Sequence, residues 1–329
     1  MTIDDLFAVT ALTDAIEKLP AVPGKVGAMG LFPDKGVRTT SVAIEAIGGR
    51  LVLVPNQSRA ADPKPMERDK RTLRTLKCTH LPLSGVVLPE DVQDVRAFGK
   101  DSAEENLKTQ AQVINDELQR LKNSIEATRE WQRVGALRGQ ILDADASVIY
   151  DLYDEFGVTK KTSNVALSVG TTNVLKACLD AKRYSEKKLG GLMVTGFRAL
   201  CGADWLDAFV DHDKVKAAFA GWQAAQDRLG GDMRSGFTFG GIEFIEYTAE
   251  VSGKLFIPSN VAQVFPVGSQ LGAMYNAPAN YNEAVNTIGQ AFYAKSEERR
   301  LGKGWDVEAQ SNPLAMWFYP ESLVELVAT

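Results

Sequence analysis

Residues 102–135, SAEENLKTQAQVINDELQRLKNSIEATREWQRVG, decide the fold, because they predict one very long amphipathic helix. The segment opens on SAEE, which matches the capping box that begins many helices. Apolar side chains then recur at steps of three and four residues, which places them in one stripe: Leu107, Ala111, Ile114, Leu118, Leu121 and Ile125. No Pro or Gly interrupts the pattern before Gly135. With a rise of about 1.5 Å per residue, the predicted helix is roughly 50 Å long.

The narrow stripe of this helix is compatible with two arrangements. A dimeric coiled coil is one, although barely three heptads are present. A long helix that lies across the back of a flat β domain is the other. The polar residues on the remaining faces do not separate the two.

The segments before the helix predict an arm and an extended hairpin. Residues 1–25 could form a short amphipathic helix before Pro20, and their apolar content indicates that the arm packs against something, such as a neighbouring copy. Residues 37–54 predict a β-hairpin that turns at Gly48 and Gly49. Residues 55–71 are charged and lack an apolar period, which predicts a long loop. Residues 72–83 resemble a returning strand.

The segments after the helix alternate between helices and strands without the regular βαβ order of a parallel sheet, which predicts an α+β fold. A short hairpin is expected between Gly139 and Val158, with an Asx turn rather than a metal site at residues 143–145, DAD. Further helices are predicted at 172–189, 203–210 and 214–226, and further strands at 192–199, 237–239, 242–247, 255–258, 263–266, 291–295 and 314–319.

Composition restricts the class of protein. The chain has 329 residues, 45% of them hydrophobic, and a net charge of −5. Proteins that bind nucleic acid tightly usually have a net positive charge, which is the opposite of the charge of this chain. The sequence has no apolar run of about 20 residues that would span a membrane, and Met1–Thr13 does not resemble a secretory signal. We therefore expect a protein that is made and kept in the cytosol.

The charges are unevenly distributed along the chain. Residues 59–77 carry seven basic and three acidic side chains, a net +4, so the rest of the chain is −9. Residues 140–159 carry five acids and no Lys or Arg. Such complementary patches suit self-association, although two unrelated solvated faces would give the same pattern. The candidate inter-subunit contacts are Arg59, Lys64, Arg68, Lys70, Arg71, Arg74, Asp143, Asp145, Asp151, Asp154 and Glu155.

The sequence offers little chemistry for an enzyme. Phosphate-binding loops, the GxSxG elbow, the HExxH motif and the GxGxxG motif are all missing from it. Cys78 and His80 could form a thiolate–imidazole pair, but they lie on the basic arm beside Pro82. His212 is expected to be solvated or to cap a helix. We predict no catalytic residue, cofactor or metal, and the alternative is a cytosolic hydrolase that uses Cys78 or Cys201 with a histidine.

Short motifs in a fixed order carry a resemblance to a known family. They are VRAFG (95–99), RVGALRG (133–139), ILDAD (141–145), LCG (200–202), DHDKVK (211–216), FGGIEF (239–244), FPVG (265–268), YNAPA (275–279), VNTIG (285–289) and QSNPL (310–314). Together with the arm, hairpin, long helix and α+β region, they resemble the lambda-like major capsid protein E family, which has the Hong Kong 97-type capsid fold. Ala146 and Asn280 stand where the family pattern has Gly and Asp.

The resemblance implies a division of the chain. Residues 1–35 would be the N-terminal arm, 36–85 the extended loop and 86–160 the peripheral domain with its spine helix. Residues 161–300 would be the axial domain, and 301–329 would return as a strand to the peripheral domain.

The resemblance also implies a function. The chain would be the major capsid protein of a tailed bacteriophage and would assemble as pentamers and hexamers into an icosahedral shell around double-stranded DNA. It would be built in the host bacterial cytoplasm with a scaffolding protein, a portal at one vertex and, in some phages, a decoration protein, and it would meet DNA only non-specifically. An encapsulin-like nanocompartment shell is the alternative with the same fold.

Overall fold

A computed structural model describes residues 12–13, 16, 19, 24–46, 72–93, 110–216, 218, 236–268 and 270–329. Its contacts divide the chain into two units. The first unit comprises Met1–Val42, Leu76–Gln132 and Ala273–Met316, and the second comprises Ala43–Thr75, Arg133–Gly272 and Trp317–Thr329. No helix in the described ranges is long and apolar enough to cross a membrane.

The long helix forms as predicted in its described part. Helix α2, Gln110–Leu137, follows the short helix α1, Lys25–Ala28; residues 102–109, including Leu107, lie outside the described ranges. Four members of the predicted stripe are at most 4% exposed: Ile114, Leu118, Leu121 and Ile125. Ala111 is exposed, which is contrary to the prediction. The helix also continues past Gly135, where a Cβ would collide with the Gln140 carbonyl oxygen, so this glycine allows close backbone approach.

The first unit is built on the apolar stripe of α2. Strands β4 (Leu81–Val87), β15 (Tyr293–Glu298) and β16 (Trp305–Ser311) form an antiparallel sheet in the order β15-β16-β4. Their inward side chains, including Val87, Ala294 and Val307, share one core with the stripe. A second sheet has the order β1-β14-β17 and consists of Asp34–Gly36, Gly272–Asn276 and Pro313–Trp317. Burial of each Leu or Ile of the stripe contributes about 1.5–3 kcal/mol.

The described residues of the N-terminal arm belong to this same core. Leu12 and Ile16 are buried against the stripe of their own subunit. The prediction that the arm packs against something is confirmed for these residues. They contact their own subunit and not the neighbouring copy that the sequence suggested as an example.

The second unit contains one six-stranded sheet in the order β7-β18-β13-β8-β10-β9. The strands are β7 Lys161–Val165, β8 Gly196–Cys201, β9 Phe237–Phe239, β10 Ile242–Glu246, β13 Val261–Val267 and β18 Val324–Ala328. The β8–β10 and β7–β18 pairs are parallel and the other pairs are antiparallel. This mixed order confirms the α+β prediction.

Helices cover one face of this sheet. The core joins α4 (Val174–Leu189) and α5 (Ala203–Asp211) to the sheet residues Phe244, Val264 and Leu326. At its centre, the ring of Trp205 stacks on Phe209 with the ring centroids 4.8 Å apart and on Phe244 with the centroids 5.4 Å apart.

Two of the predicted hairpins are confirmed, and the turn of the third lies outside the described ranges. Strands β5 (Gln140–Leu142) and β6 (Val148–Asp151) confirm the hairpin after the long helix, and the short helix α3, Leu152–Phe156, follows it. Strands β9 and β10 confirm the turn at Gly240 and Gly241, whose φ angles of 59° and 76° favour glycine. The predicted turn at Gly48 and Gly49 lies outside the described ranges. Strand β2, Ser41–Ala46, pairs with β3, Thr72–Lys77, which confirms a strand over residues 72–77.

The C-terminal strand differs from its predicted place. Strand β18 lies between β7 and β13 in the second unit, whereas the sequence placed residues 301–329 with the domain of the long helix. Residues 273–300, expected in the axial domain, instead belong to the first unit. Packing explains both differences, since Ala294 and Val307 face the stripe of α2 and Val324 and Leu326 face the core of the second unit.

Candidate contact surfaces

The basic side of the predicted contact is described only at its end. Arg59, Lys64, Arg68, Lys70 and Arg71 lie outside the described ranges. Arg74, on β3, places its Nη1 3.1 Å from Oε2 of Glu155, and each side chain is about one-third exposed (35% and 33%). This described pair of predicted contact residues therefore bonds within one subunit. It ties strand β3 to helix α3.

The acidic side of the predicted contact begins at the β5–β6 turn. Asp143 Oδ1 accepts the Ala144 N–H at 2.7 Å, and Asp145 Oδ1 accepts the Ser147 N–H at 2.8 Å. These bonds confirm the Asx turn, and hydrogen bonds from Ser147 lower the pKa of Asp145. Lys254 Nζ donates to the Ala144 carbonyl at 2.6 Å. The described residues contain no group of ligands that could hold a metal ion.

Asp151 has a structural role. It is the N-cap of α3, where Oδ1 accepts the N–H groups of Tyr153 at 2.9 Å and Asp154 at 3.3 Å. Its Oδ2 accepts a bond from Gln140 Nε2 at 2.8 Å. The exposed carboxylates of the acidic run are therefore those of Asp143, Asp145 and Asp154.

Replacing Asp151 by alanine is expected to lower the free energy of unfolding by about 1 kcal/mol, the usual value for a lost N-cap. Thermal unfolding of the unassembled subunit measures the change. Asp154→Ala is the matched control and should lower the free energy of unfolding by only about 0.3 kcal/mol, because its exposed carboxylate in the first turn of α3 contributes through the helix dipole. Equal effects of the two substitutions would contradict the capping role.

The geometry does not bring the Cys78 thiol and the His80 ring together as a hydrogen-bonded pair. Nδ1 of His80 lies 2.7 Å from Asn312 Oδ1. Burial raises the pKa of Cys78 to about 11 and that of Cys201 well above its ordinary value, so both thiols stay protonated at neutral pH. Protonated, buried thiols are poor nucleophiles.

His212 has the predicted capping role. Its Nδ1 accepts the N–H of Lys214 at 3.3 Å, and its Nε2 lies 3.2 Å from the Val169 carbonyl oxygen. The alternative of a solvated ring is wrong, since the residue is buried.

Helix α2 carries a row of buried charges that its apolar periodicity did not predict. Lys122, Glu126, Arg129 and Glu130 are all at most 6% exposed. The spacing of three and four residues places them along one side of the helix. We refer to these four residues as the charged row. Buried charges are costly unless paired, and the pairing accounts for their presence.

Two members of the charged row bind the main chain of the N-terminal segment. Glu130 accepts the Val26 N–H at 2.7 Å and the Gly27 N–H at 2.9 Å, where α1 begins. Lys122 Nζ donates to the carbonyl oxygens of Ile16 at 2.6 Å and Leu19 at 2.8 Å. The N-terminal segment is thus fastened to α2 by charge-assisted hydrogen bonds.

Arg129 joins four parts of the first unit. Its Nη2 lies 2.6 Å from Asp34 Oδ1, and its Nη1 donates to Asn276 Oδ1 at 2.9 Å and to Ser311 Oγ at 3.0 Å. Its Nε lies 3.2 Å from Glu126 Oε2. One guanidinium therefore holds β1, β14, β16 and α2 together. The sequence shows these charges beside the apolar stripe of α2. Periodicity alone predicts that such charged side chains face solvent, so their burial was not predicted.

Comparison with known proteins gives a consistent family. The model of the family described as phage major capsid protein E matches residues 8–328. A major capsid protein of Pseudomonas phage KPP10 is 29% identical over 97% of this chain and 96% of its own length. A major capsid protein of Salmonella phage Felix O1 is 24% identical over 98% of this chain and 96% of its own.

Solved structures share the fold. A prophage protein of E. coli CFT073, assigned as a capsid protein, has a TM-score of 0.58 at 16% identity, covering 100% of this chain and 99% of its own. A phage-related protein of Bordetella bronchiseptica RB50 has a TM-score of 0.53 at 12% identity, covering 97% and 96%. At these identities the likeness concerns the fold alone.

Proposed function

The chain belongs to the phage major capsid protein E family, and from that premise we propose that it assembles as pentamers and hexamers into an icosahedral shell around double-stranded DNA. Its function is that of a major capsid protein of a tailed phage, a structural subunit of the virion shell. The observation that carries this conclusion is the family match over residues 8–328.

The division of labour along the chain is part of the proposal. Residues 1–35 are the arm, 36–85 the extended loop that reaches an adjacent subunit, and 86–160 the peripheral part. Residues 161–272 face the five- and six-fold axes. The second unit, with its sheet and covering helices, supports an axial role for this range, while residues 273–300 belong to the unit of the long helix.

Docking between subunits is proposed to be electrostatic. The basic loop, residues 59–71, lies on the acidic surface formed by Asp143, Asp145 and Asp154 of the adjacent copy. Two observations support it. These carboxylates are exposed, and the Arg74–Glu155 pair holds strand β3, which follows the loop in the sequence, within its own subunit. Each such contact is weak, but a subunit that meets several neighbours sums many of them.

Other partners follow from the same proposal. Assembly takes place in the host cytoplasm with a separate scaffolding protein, and a portal replaces one pentamer at a vertex. A decoration protein binds the outside in some phages. The net charge of −5 keeps the shell from binding phosphates tightly, so that DNA meets the wall only non-specifically.

Expression of the full chain tests the shell function directly. Sedimentation and electron microscopy of the purified protein should reveal closed particles of uniform diameter or their pentameric and hexameric precursors. A protein that stays a monodisperse monomer at high concentration, with and without a co-expressed scaffolding protein, would contradict the proposal.

A further inference from the structure

The β15–β16 hairpin of the first unit presents an unusual residue at its apex. Leu301 lies in the turn Arg300–Gly302 and is 88% exposed. Its backbone has φ 66° and ψ 23°, the left-handed region. A branched apolar residue is strained there because its Cβ approaches the following carbonyl oxygen. Leu301 is thus unfavourable in two independent ways, by solvation and by backbone conformation.

Neither property alone would be informative. Single exposed apolar residues are common on protein surfaces, and Met193 is equally exposed, at 88%, without a positive φ. Four other non-glycine residues of the described chain have positive φ, but they are small or polar: Ala146, Ser252, Gln270 and Asn286. Among these five, Leu301 combines strain with a large exposed apolar side chain. Local rules are most often broken at functional positions.

The hairpin holds this apex firmly in place. The Arg299 N–H donates to the Gly304 carbonyl at 2.9 Å, and the Gly302 N–H donates to the Arg299 carbonyl at 3.0 Å. Nε of Arg299 lies 3.2 Å from Asp306 Oδ1 across the two strands. Gly304 has a φ of 113° and lies against the backbone of Val87, so the turn also rests on β4.

We propose that Leu301 is a contact residue through which the β15–β16 hairpin inserts into an apolar surface with an acidic rim on a second copy of this chain. The proposal rests on the shell function. Arg300 and Lys303 flank Leu301 and are exposed, while Arg299 is paired with Asp306. An apolar tip flanked by basic side chains is complementary to an apolar site that is surrounded by acidic side chains.

The charge of the chain favours a second copy as the partner of this tip. The chain carries a net charge of −5 although the tip itself, Arg299 to Lys303, is +3, so the remainder is −8. In a shell every subunit is surrounded by copies of itself, which makes such a surface available to every tip. The phosphates of DNA would attract Arg300 and Lys303, but they offer no site for the apolar side chain of Leu301.

Substitutions at this position separate a structural role from an interface role. Leu301→Gly and Leu301→Asn both remove the apolar group and suit positive φ. Tm of the unassembled subunit should rise by about 1–3 °C for both variants. The critical concentration for assembly, measured by light scattering, should rise about tenfold. Leu301→Met keeps an apolar tip and is the matched control, with assembly as in the wild type.

Each outcome has a defined meaning. Normal assembly of Leu301→Gly, or a Tm that falls in that variant, would overturn the proposal. If the wild type binds duplex DNA and Leu301→Gly binds it more weakly, with assembly unchanged, the tip contacts DNA. That result would also overturn the proposal. A wild-type chain that forms no particles would contradict the shell function itself, whereas wild-type particles with normal Leu301→Gly assembly contradict only the role of Leu301.

Discussion

Replacing Arg129 by methionine is expected to lower the free energy of unfolding by about 3–5 kcal/mol, the usual cost of breaking a buried ion pair from one side. Methionine keeps most of the apolar stem, so the loss comes from the guanidinium. Without it, the buried carboxylate of Glu126 loses its cation, and Asn276 and Ser311 lose their shared donor. Asp34 is half exposed and can turn to water, which makes its share of the loss smaller. Urea unfolding of the unassembled subunit measures the change.

Arg120 supplies the matched control for this prediction. It lies on the same helix and pairs with Glu117, but its side chain is 68% exposed. Exposed pairs contribute little, so Arg120→Met should leave the midpoint of unfolding unchanged. Arg129→Lys keeps the charge but replaces the planar fork with a point charge, and an intermediate loss is expected. Equal losses for Arg129→Met and Arg120→Met would show that the buried position has no special role.

Reversing Arg68, Lys70 and Arg71 to glutamate is expected to abolish shell assembly while the subunit still folds. The triple change turns the +4 of residues 59–77 into −2, so the loop would meet Asp143, Asp145 and Asp154 of the adjacent copy with like charge. Because each subunit repeats the repulsion at its contacts, the effect is multiplied over the shell. Assembly is followed by light scattering and electron microscopy, and folding by circular dichroism.

A second triple variant controls for net charge. Lys176, Lys187 and Lys188 are exposed on α4, and their reversal to glutamate changes the net charge of the chain equally. This control should assemble. Restoring assembly of the loop variant by changing Asp143, Asp145 and Asp154 to lysine would identify the acidic partner. Normal shells from the loop variant, or an equal block in the control, would contradict electrostatic docking through residues 59–71.

Periodicity predicted the parts of this fold that depend on local pattern. The stripe from Ile114 to Ile125 predicts a single buried helix face. The Gly240–Gly241 pair predicts a turn with positive φ angles, which few other residues adopt. The Asp143–Asp145 segment likewise gave an Asx turn, because its side chains bond to nearby backbone N–H groups. Such features are set by residues a few positions apart.

The features that the sequence did not reveal depend on distant partners. Glu130 is buried because the N–H groups of Val26 and Gly27, over 100 positions away, satisfy its carboxylate. Strand β18 could have paired with either unit, and its apolar alternation alone does not choose between them. Of the candidate contacts, Asp151 and Glu155 proved to bond within the subunit. A charge pattern cannot distinguish a carboxylate that caps a helix from one that meets a neighbour.

A single-particle reconstruction of shells assembled from the full chain tests the central claim most directly, namely that copies of this subunit close into a shell by docking a basic loop on an acidic neighbour. Fivefold and sixfold clusters are predicted, with residues 59–71 of one copy lying against Asp143, Asp145 and Asp154 of the next. Closed shells in which that loop touches only its own subunit, or clusters of any other symmetry, would contradict the account.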